Sequence, residues 1–509
     1  MIIKSKIIRD TVFLTIMQLI LDSSALLLNI FITQRLGAPA IGILSLTGSF
    51  LVLAGMLSNG NAFLCMSRLV SEEIGKKSGN PDKILGYAVA FCAILSGVVG
   101  IFLVGTADWL SVKFFKSDMM AAPVKLMAYA LPIGAFCAVL RGYFNAFRRV
   151  GVTAVSDLID FAVKSAVIVI STLTAKSFDD GAVCMIMVRG IICGNIASVI
   201  FLTVNFVTKK EKYRSKASVS FGKYISFAFP IMFGSCLTSA LSSTNDALIP
   251  ITLKQYGDSV TEALSRFGIF EAIVIPTLFF PYIIMCSLSG IVVSEAARAA
   301  AAKDSESIKR MAKKLIEKTL VFSIFAAAVL MKFGGQIGVM MDGGELAGHM
   351  ITVIAPVVPF IYLEIVLEAL IKGMGMQGFS SLNYFAEYAV RISTVLILVP
   401  KIGFYGIVAS YYASNVIGNT GRLVKVIRCT HPKISIMKSL ILPILYCFLT
   451  MSFTELLLRI MRLGNESVIS AILFTAIWSA GYLFMLSGFT RRKSDLKQML
   501  KHMPNVQNS

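Results

Sequence analysis

Apolar residues run through this chain in blocks of about twenty, set apart by short polar segments. That is the length an α-helix needs to cross the hydrocarbon of a bilayer at 1.5 Å per residue. The blocks predict spans over Thr11 to Thr33, Ile41 to Leu64, Ile84 to Gly105, Ala122 to Phe144, Val152 to Leu173 and Val183 to Phe206. Six more cover Tyr224 to Leu253, Phe267 to Val293, Leu315 to Phe333, Ala347 to Leu370, Phe379 to Val399 and Phe404 to Gly421. Two further blocks, Ile436 to Leu457 and Val468 to Phe489, precede a polar end. Hydrocarbon offers the backbone no hydrogen-bond partner, so these spans are expected to be helices. The expected fold class is an all-α polytopic membrane protein of about fourteen transmembrane helices, arranged as two six-helix lobes plus two C-terminal helices. The corresponding segments are 1–207, a basic connector 208–223, 224–428, the two extra helices 429–490, and a polar tail 491–509.

Composition agrees. With 56% hydrophobic and 15% charged residues over 509 positions, there is more apolar surface than one soluble core could bury. The net charge of +20 does not call for nucleic acid, because the bases sit in short connectors rather than on one soluble face. Alternate connectors hold Arg68, Lys76, Lys77 and Lys83; Arg148 and Arg149; Lys209, Lys210, Lys212, Arg214 and Lys216; Arg298 to Lys314; and Arg422, Lys425, Arg428 and Lys433. The positive-inside rule places these, and with them both termini, in the cytoplasm. The first apolar block shows no small-residue cleavage site, so an uncleaved helix is expected. Nine scattered cysteines and three distant histidines form no metal-ligand spacing. No resident cofactor or metal is therefore expected.

The two sets of six spans are related to each other. Gln34-Arg35-Leu36-Gly37 corresponds to Lys254-Gln255-Tyr256-Gly257, Leu69 to Glu72 corresponds to Val292 to Glu295, and Asp160 to Lys164 corresponds to Glu387 to Arg391. Six helices separate the copies, so both would have the same membrane orientation, related by an axis along the membrane normal. Two such lobes facing a cavity are expected of a transporter.

Ionisable residues inside spans are costly and default to function. Asp157, Asp160 and Lys164 share one helical face of the fifth span, with Asp160 and Lys164 placed to pair at i, i+4. Glu364, Glu368 and Lys372 form a similar stripe in the tenth, and Glu387 and Arg391 a pair in the eleventh. These groups either line a cavity or lock helices together. Asp22, isolated in the first span, and Asp246 beside Asn245 in the seventh are candidates for H+ or Na+ coupling, with a polar helix contact as the alternative. Arg141 in the fourth span and Arg189 in the sixth are candidates for an anionic diphosphate. Pro132, Pro230, Pro276, Pro281, Pro356 and Pro359 mark places for hinges or fixed kinks. The glycine pattern Gly373-Met-Gly375-Met-Gln-Gly378 follows no strand and reads as a turn between helices rather than a dinucleotide loop. No Walker A, His-Glu-x-x-His or nucleophile-elbow motif is present, so enzyme chemistry is not expected.

Leu140-Arg141-Gly142-Tyr143-Phe144 with Thr153 to Ser156, Ser67 to Glu72, and Ser294-Glu295-Ala296 resemble bacterial polysaccharide-export proteins related to stage V sporulation protein B. The resemblance spans about Lys4 to Arg428. It implies the fold of the multidrug, oligosaccharidyl-lipid and polysaccharide (MOP) flippase superfamily, alternating access in a bacterial cytoplasmic membrane, and an undecaprenyl-linked saccharide as cargo. Lipid II flippases of that superfamily carry cavity arginines on the first two helices; the spans Thr11 to Thr33 and Ile41 to Leu64 have none. A multidrug or cation antiporter coupled to H+ or Na+ is the alternative. A membrane-embedded glycosyltransferase would need a large outward loop, and no outward connector exceeds about fifteen residues. The expected partners are membrane lipids and the lipid-linked saccharide, with the oligomeric state left open.

Overall fold

The computed structural model describes residues 2–75, 80–113, 118–174, 179–208, 220–460 and 468–501. Lys76, Lys77, most of the basic connector (Lys209, Lys210, Lys212, Arg214 and Lys216 included) and the end of the polar tail lie outside the described residues. In chain order the helices are α1 (Ile2–Leu36), α2 (Ala38–Asn59), α3 (Ala62–Gly75), α4 (Pro81–Lys113), α5 (Ala121–Ala146), α6 (Val150–Thr174) and α7 (Asp180–Thr208). They continue with α8 (Phe221–Tyr256), α9 (Val260–Ile269), α10 (Ile275–Phe279), α11 (Ile283–Ala301), α12 (Ser305–Met340), α13 (Gly344–Ile354) and α14 (Val358–Gly373). The last are α15 (Gln377–Ile402), α16 (Phe404–Thr430), α17 (Leu442–Ile460) and α18 (Val468–Lys501).

Among the described residues, twelve stretches are long and apolar enough to cross a membrane. The fifth and twelfth predicted spans fall outside those twelve, for a physical reason. Their helices, α6 and α16, have 25 and 27 residues, ample length, but α6 carries Asp157, Asp160 and Lys164, and α16 carries Ser410, Ser414, Asn415 and Asn419. Asp157 and Asp160 are turned to Arg141 of α5, and Ser414 to Arg391 of α15, so hydropathy alone understates these helices.

The eighth span starts two turns earlier than its hydropathy predicts. A capping box sets the start: Ser259 Oγ accepts from the Glu262 N–H at 3.2 Å, and Glu262 Oε2 accepts from the Ser259 N–H at 2.9 Å. Prolines then break the helix where predicted. A π-helical turn, Phe270–Val274, precedes Pro276, and a 3-10 turn, Phe280–Tyr282, holds Pro281. Pro356 sits in a 3-10 turn, Ala355–Val357, that divides α13 from α14. Pro132, Pro230, Pro250 and Pro400 instead lie within continuous helices. Gly375, at φ 77°, makes the turn between α14 and α15 that the glycine pattern predicts.

The contacts divide the chain into two compact units. The first comprises 1–288, 338–347 and 377–418. In it, α2 and α9 cross where Gly42 and Gly268 let their backbones touch; a Cβ on Gly268 would lie 2.7 Å from the Ala38 carbonyl oxygen. α6 and α7 approach equally closely through Gly190 and Gly194, a small-x-x-x-small spacing. The second unit comprises 289–337, 348–376 and 419–509. Its C-terminal helices pack around the buried rings of Phe474, Trp478 and Tyr482. Trp478 Nε1 donates to the Cys447 carbonyl at 3.0 Å, Tyr482 donates to the Val321 carbonyl at 2.9 Å, and Lys332 pairs with Glu455 between α12 and α17.

Candidate functional site

The first unit encloses a cavity of about 600 Å³. One face of α1 supplies Ala25, Leu28, Asn29, Ile32 and Leu36, and α2 adds Ser45, Gly48 and Ser49. From α8 come Thr238, Ser239, Ser242, Ser243 and Asp246, and from the π-helical turn comes Glu271. Lys164 enters from α6 and Tyr384 from α15. The result is an amphipathic chamber: apolar walls, a band of hydroxyls, one ammonium and two carboxylates.

Lys164 faces this cavity because its expected partner is taken. Arg141 of α5 reaches α6 and captures both acids, with Nε 3.0 Å from Asp157 Oδ1 and Nη2 3.4 Å from Asp160 Oδ2. The same guanidinium donates to Ser156 Oγ at 3.3 Å and Ser198 Oγ at 3.1 Å. The expected Asp160–Lys164 pair is therefore corrected: on one helix face an i, i+4 neighbour lost to a guanidinium that two carboxylates can share. It also means that Arg141 is neutralised here rather than presented to an anion. Among the described residues Lys164 makes no ion pair; its Nζ lies 5.2 Å from the centre of the Phe161 ring. Gly194 holds the arrangement close, since a Cβ there would meet the Asp160 carbonyl oxygen at 2.6 Å. Arg189 lies exposed on α7 and does not line the cavity.

The matching pair in α15 does form. Arg391 Nη2 lies 3.4 Å from Glu387 Oε1, one helical turn away, and Nε donates to Ser414 Oγ at 3.0 Å. The guanidinium sits over the rings of Tyr411, at 4.6 Å, and Tyr388, at 5.1 Å. Gly418 gives Glu387 its room, as Gly194 does for Asp160: a Cβ on Gly418 would meet Glu387 Oε2 at 2.6 Å.

Asp246 is held by Ser49, whose hydroxyl donates to Oδ2 at 2.6 Å, and by Asn245, whose amide donates to Oδ1 at 3.3 Å. Ser243 ties the same patch to α2 by donating to the Ser49 carbonyl at 2.8 Å. The side-chain oxygen of Asn245 is buried without a hydrogen-bond partner. Glu271, which hydropathy passes over as a lone acid in an apolar run, lies within electrostatic reach of both Asp246 and Arg391. The signal that would have found it is the company it keeps: an acid five residues before a proline, in a span that needs a break. Asp22 stands one turn before Ala25 on the cavity-lining stripe of α1, where Gln18 donates to its Oδ1 at 2.9 Å.

The stripe in the tenth span meets a cation from another helix. In the second unit, Glu364 and Glu368 of α14 clamp Arg422 of α16, with Nη2 3.3 Å from Glu364 Oε1 and Nε 3.3 Å from Glu368 Oε2. Nη1 donates to Asn419 Oδ1 at 2.9 Å, and Lys372 lies 3.2 Å from the other oxygen of Glu368. Sequence placed Arg422 in a cytoplasmic connector. It is instead fully buried, because α16 runs on to Thr430 and two carboxylates await it.

Comparison with known proteins adds similarities to this geometry. Residues 7–253 match the model of the family described as Polysaccharide biosynthesis protein. Stage V sporulation protein B of Bacillus subtilis (strain 168) is 20% identical over 396 residues, covering 74% of this chain and 75% of that protein. Among solved structures, a lipid II flippase MurJ in an inward closed conformation superposes with a TM-score of 0.70 at 14% identity, covering 95% of this chain and 99% of that one. An inward-facing multidrug resistance MATE family transporter of the MOP superfamily gives 0.63 at 14% identity, covering 81% and 95%. A MOP superfamily transporter from Pyrococcus furiosus gives 0.61 at 13% identity, covering 82% and 95%.

Proposed function

We propose that this chain, a polysaccharide biosynthesis membrane transporter of the MOP superfamily and a distant homologue of stage V sporulation protein B, flips an undecaprenyl-linked saccharide across the bacterial cytoplasmic membrane. The observation that carries this reading is Lys164, which lines the cavity without an acid partner among the described residues, together with the hydroxyl band of α2 and α8. An ammonium recognises phosphate as a point charge, and hydroxyls exchange hydrogen bonds with sugar. The apolar walls accommodate the lipid end of an amphiphile. Transport would proceed by alternating access of two repeat-related lobes, with both termini on the cytoplasmic side as the basic connectors require. Asp22, Asp246 and Asn245, now joined by Glu271, are the residues for ion coupling, and the Asp157/Asp160/Arg141, Glu387/Arg391 and Glu364/Glu368/Arg422 clusters hold the helices between which movement occurs.

A second reading, a cation antiporter, draws on Asp246 and Glu271, two carboxylates in the same chamber. Reconstitution in liposomes separates the two. Transfer of a fluorescent undecaprenyl diphosphate saccharide between leaflets, lost in Lys164→Gln, supports the flippase; uptake of a cationic dye that depends on Asp246 and is indifferent to Lys164 supports the antiporter.

A further inference from the structure

The second unit has a groove of its own. Helices α12, α17 and α18 enclose about 580 Å³, and the lining changes character along its length. At one end stand Lys314 and Lys318, both exposed on α12, and Lys438, from the π-helical turn Met437–Ile441 that leads into α17. Glu317, between the two α12 lysines, is turned to the adjoining chain, where its Oε1 accepts from the Ser435 N–H at 3.1 Å. The balance of charge at this end is positive.

Beyond Lys318 the groove becomes apolar. Lys314, Lys318, Val321 and Phe325 lie on one stripe of α12, and Leu442 and Tyr446 of α17 follow Lys438 along the groove. Leu483 and Leu486 of α18 close the side. From Lys318 to Phe325 the helix descends about 10 Å at 1.5 Å per residue. The Tyr482 hydroxyl is spent on the Val321 carbonyl, so this depth offers rings and methyls.

We propose that this groove is a binding site for an anionic phospholipid of the surrounding bilayer, with its phosphate at Lys314, Lys318 and Lys438 and an acyl chain along Val321, Phe325, Leu442 and Leu483. Free phosphate would use the lysines and leave the apolar length empty, and a zwitterionic lipid would bring its own cation to the positive end. Lys314 also belongs to a basic segment that the positive-inside rule assigns to the cytoplasmic leaflet, where anionic lipids are abundant, and Lys318 and Lys438 lie within one or two turns of such segments. The groove shares no lining residue with the cavity of Lys164.

The test is native mass spectrometry of the full-length chain, titrated with phosphatidylglycerol and with phosphatidylcholine of the same acyl chains. Phosphatidylglycerol is expected to bind preferentially. Lys314→Gln with Lys318→Gln is expected to weaken it on the order of 25-fold, about fivefold per lysine at a membrane surface. Leu483→Trp, which fills the groove without changing charge, is expected to weaken both lipids. Lys303→Gln with Lys433→Gln, outside the groove lining, serves as the charge control and is expected to leave the preference intact. Equal binding of the two lipids overturns the proposal, as does a double variant that binds like the parent or a control that loses as much. Undecaprenyl phosphate that displaces phosphatidylglycerol at equal concentration, in a manner dependent on Lys314 and Lys318, would also overturn it, by making the groove a cargo site.

Discussion

Arg141 Nη2 lies 3.4 Å from Asp160 Oδ2, and this bond between α5 and α6 leaves Lys164, one turn along, to face the cavity. The two cations of this region therefore have separable roles. Arg141→Ala strands two acids that are only partly accessible and is expected to cost about 2 kcal/mol, whereas Asp157→Asn and Asp160→Asn added to it should recover much of the loss. Lys164→Gln should unfold at the parental temperature and transport poorly. Thermal unfolding in detergent, set beside transport of the same preparations, checks the pattern.

Arg422 is fully buried in the second unit, where Glu364, Glu368 and Asn419 hold its guanidinium. Arg422→Ala is expected to cost about 3–5 kcal/mol, because two carboxylates lose their counter-charge. Arg422→Lys should be only partly tolerated, since an ammonium cannot bridge Glu364, Glu368 and Asn419 as a planar fork does. Yield of monodisperse protein and its unfolding temperature are the measurements.

The close approach of α6 and α7 depends on Gly194. Gly194→Ala places a methyl 2.6 Å from a backbone oxygen, an obstacle that cannot rotate away, and is expected to cost about 1–3 kcal/mol. Gly97→Ala in α4, where a Cβ meets nothing within 4 Å, should be neutral or slightly stabilising. Equal unfolding temperatures for the two variants would contradict the packing described.

The proposed ion coupling rests on Asp22 and on Asp246 with Glu271. Asp246→Asn and Glu271→Gln are expected to reduce the dependence of transport on an imposed proton or sodium gradient, and Asp22→Asn to do so as well. Gradient-dependent rates in liposomes that match the parent for all three would leave these acids as polar contacts between helices.

How far the sequence foretold this structure differs from residue to residue. Helices were legible, because blocks of about twenty apolar residues have one solution in hydrocarbon. The Glu387–Arg391 pair was legible too, since both members lie on one helix and i, i+4 spacing suffices. Asp160 and Lys164 have the same spacing and do not pair, because the winner, Arg141, is nineteen residues before Asp160 and arrives only when α5 packs on α6. Arg422 was hidden for a related reason: at the end of an apolar block it resembles a loop charge, and only the neighbouring α14 carboxylates make burial affordable. Glu271 was hidden by its apolar surroundings, which at the level of hydropathy mask the very feature that sets it apart.

Movement of a lipid-linked saccharide through the cavity that carries Lys164 is the proposal on which the other roles depend. It is tested most directly by reconstituting the full chain in liposomes with a fluorescent undecaprenyl diphosphate saccharide and measuring how much of the fluorescence an external quencher reaches over time. Transfer between leaflets well above protein-free liposomes is expected, with a loss of roughly tenfold or more in Lys164→Gln, as removing one charge-assisted contact of about 1.4 kcal/mol or more implies. Transfer no faster than in empty liposomes, together with uptake of a cationic dye by the same preparation, would contradict it.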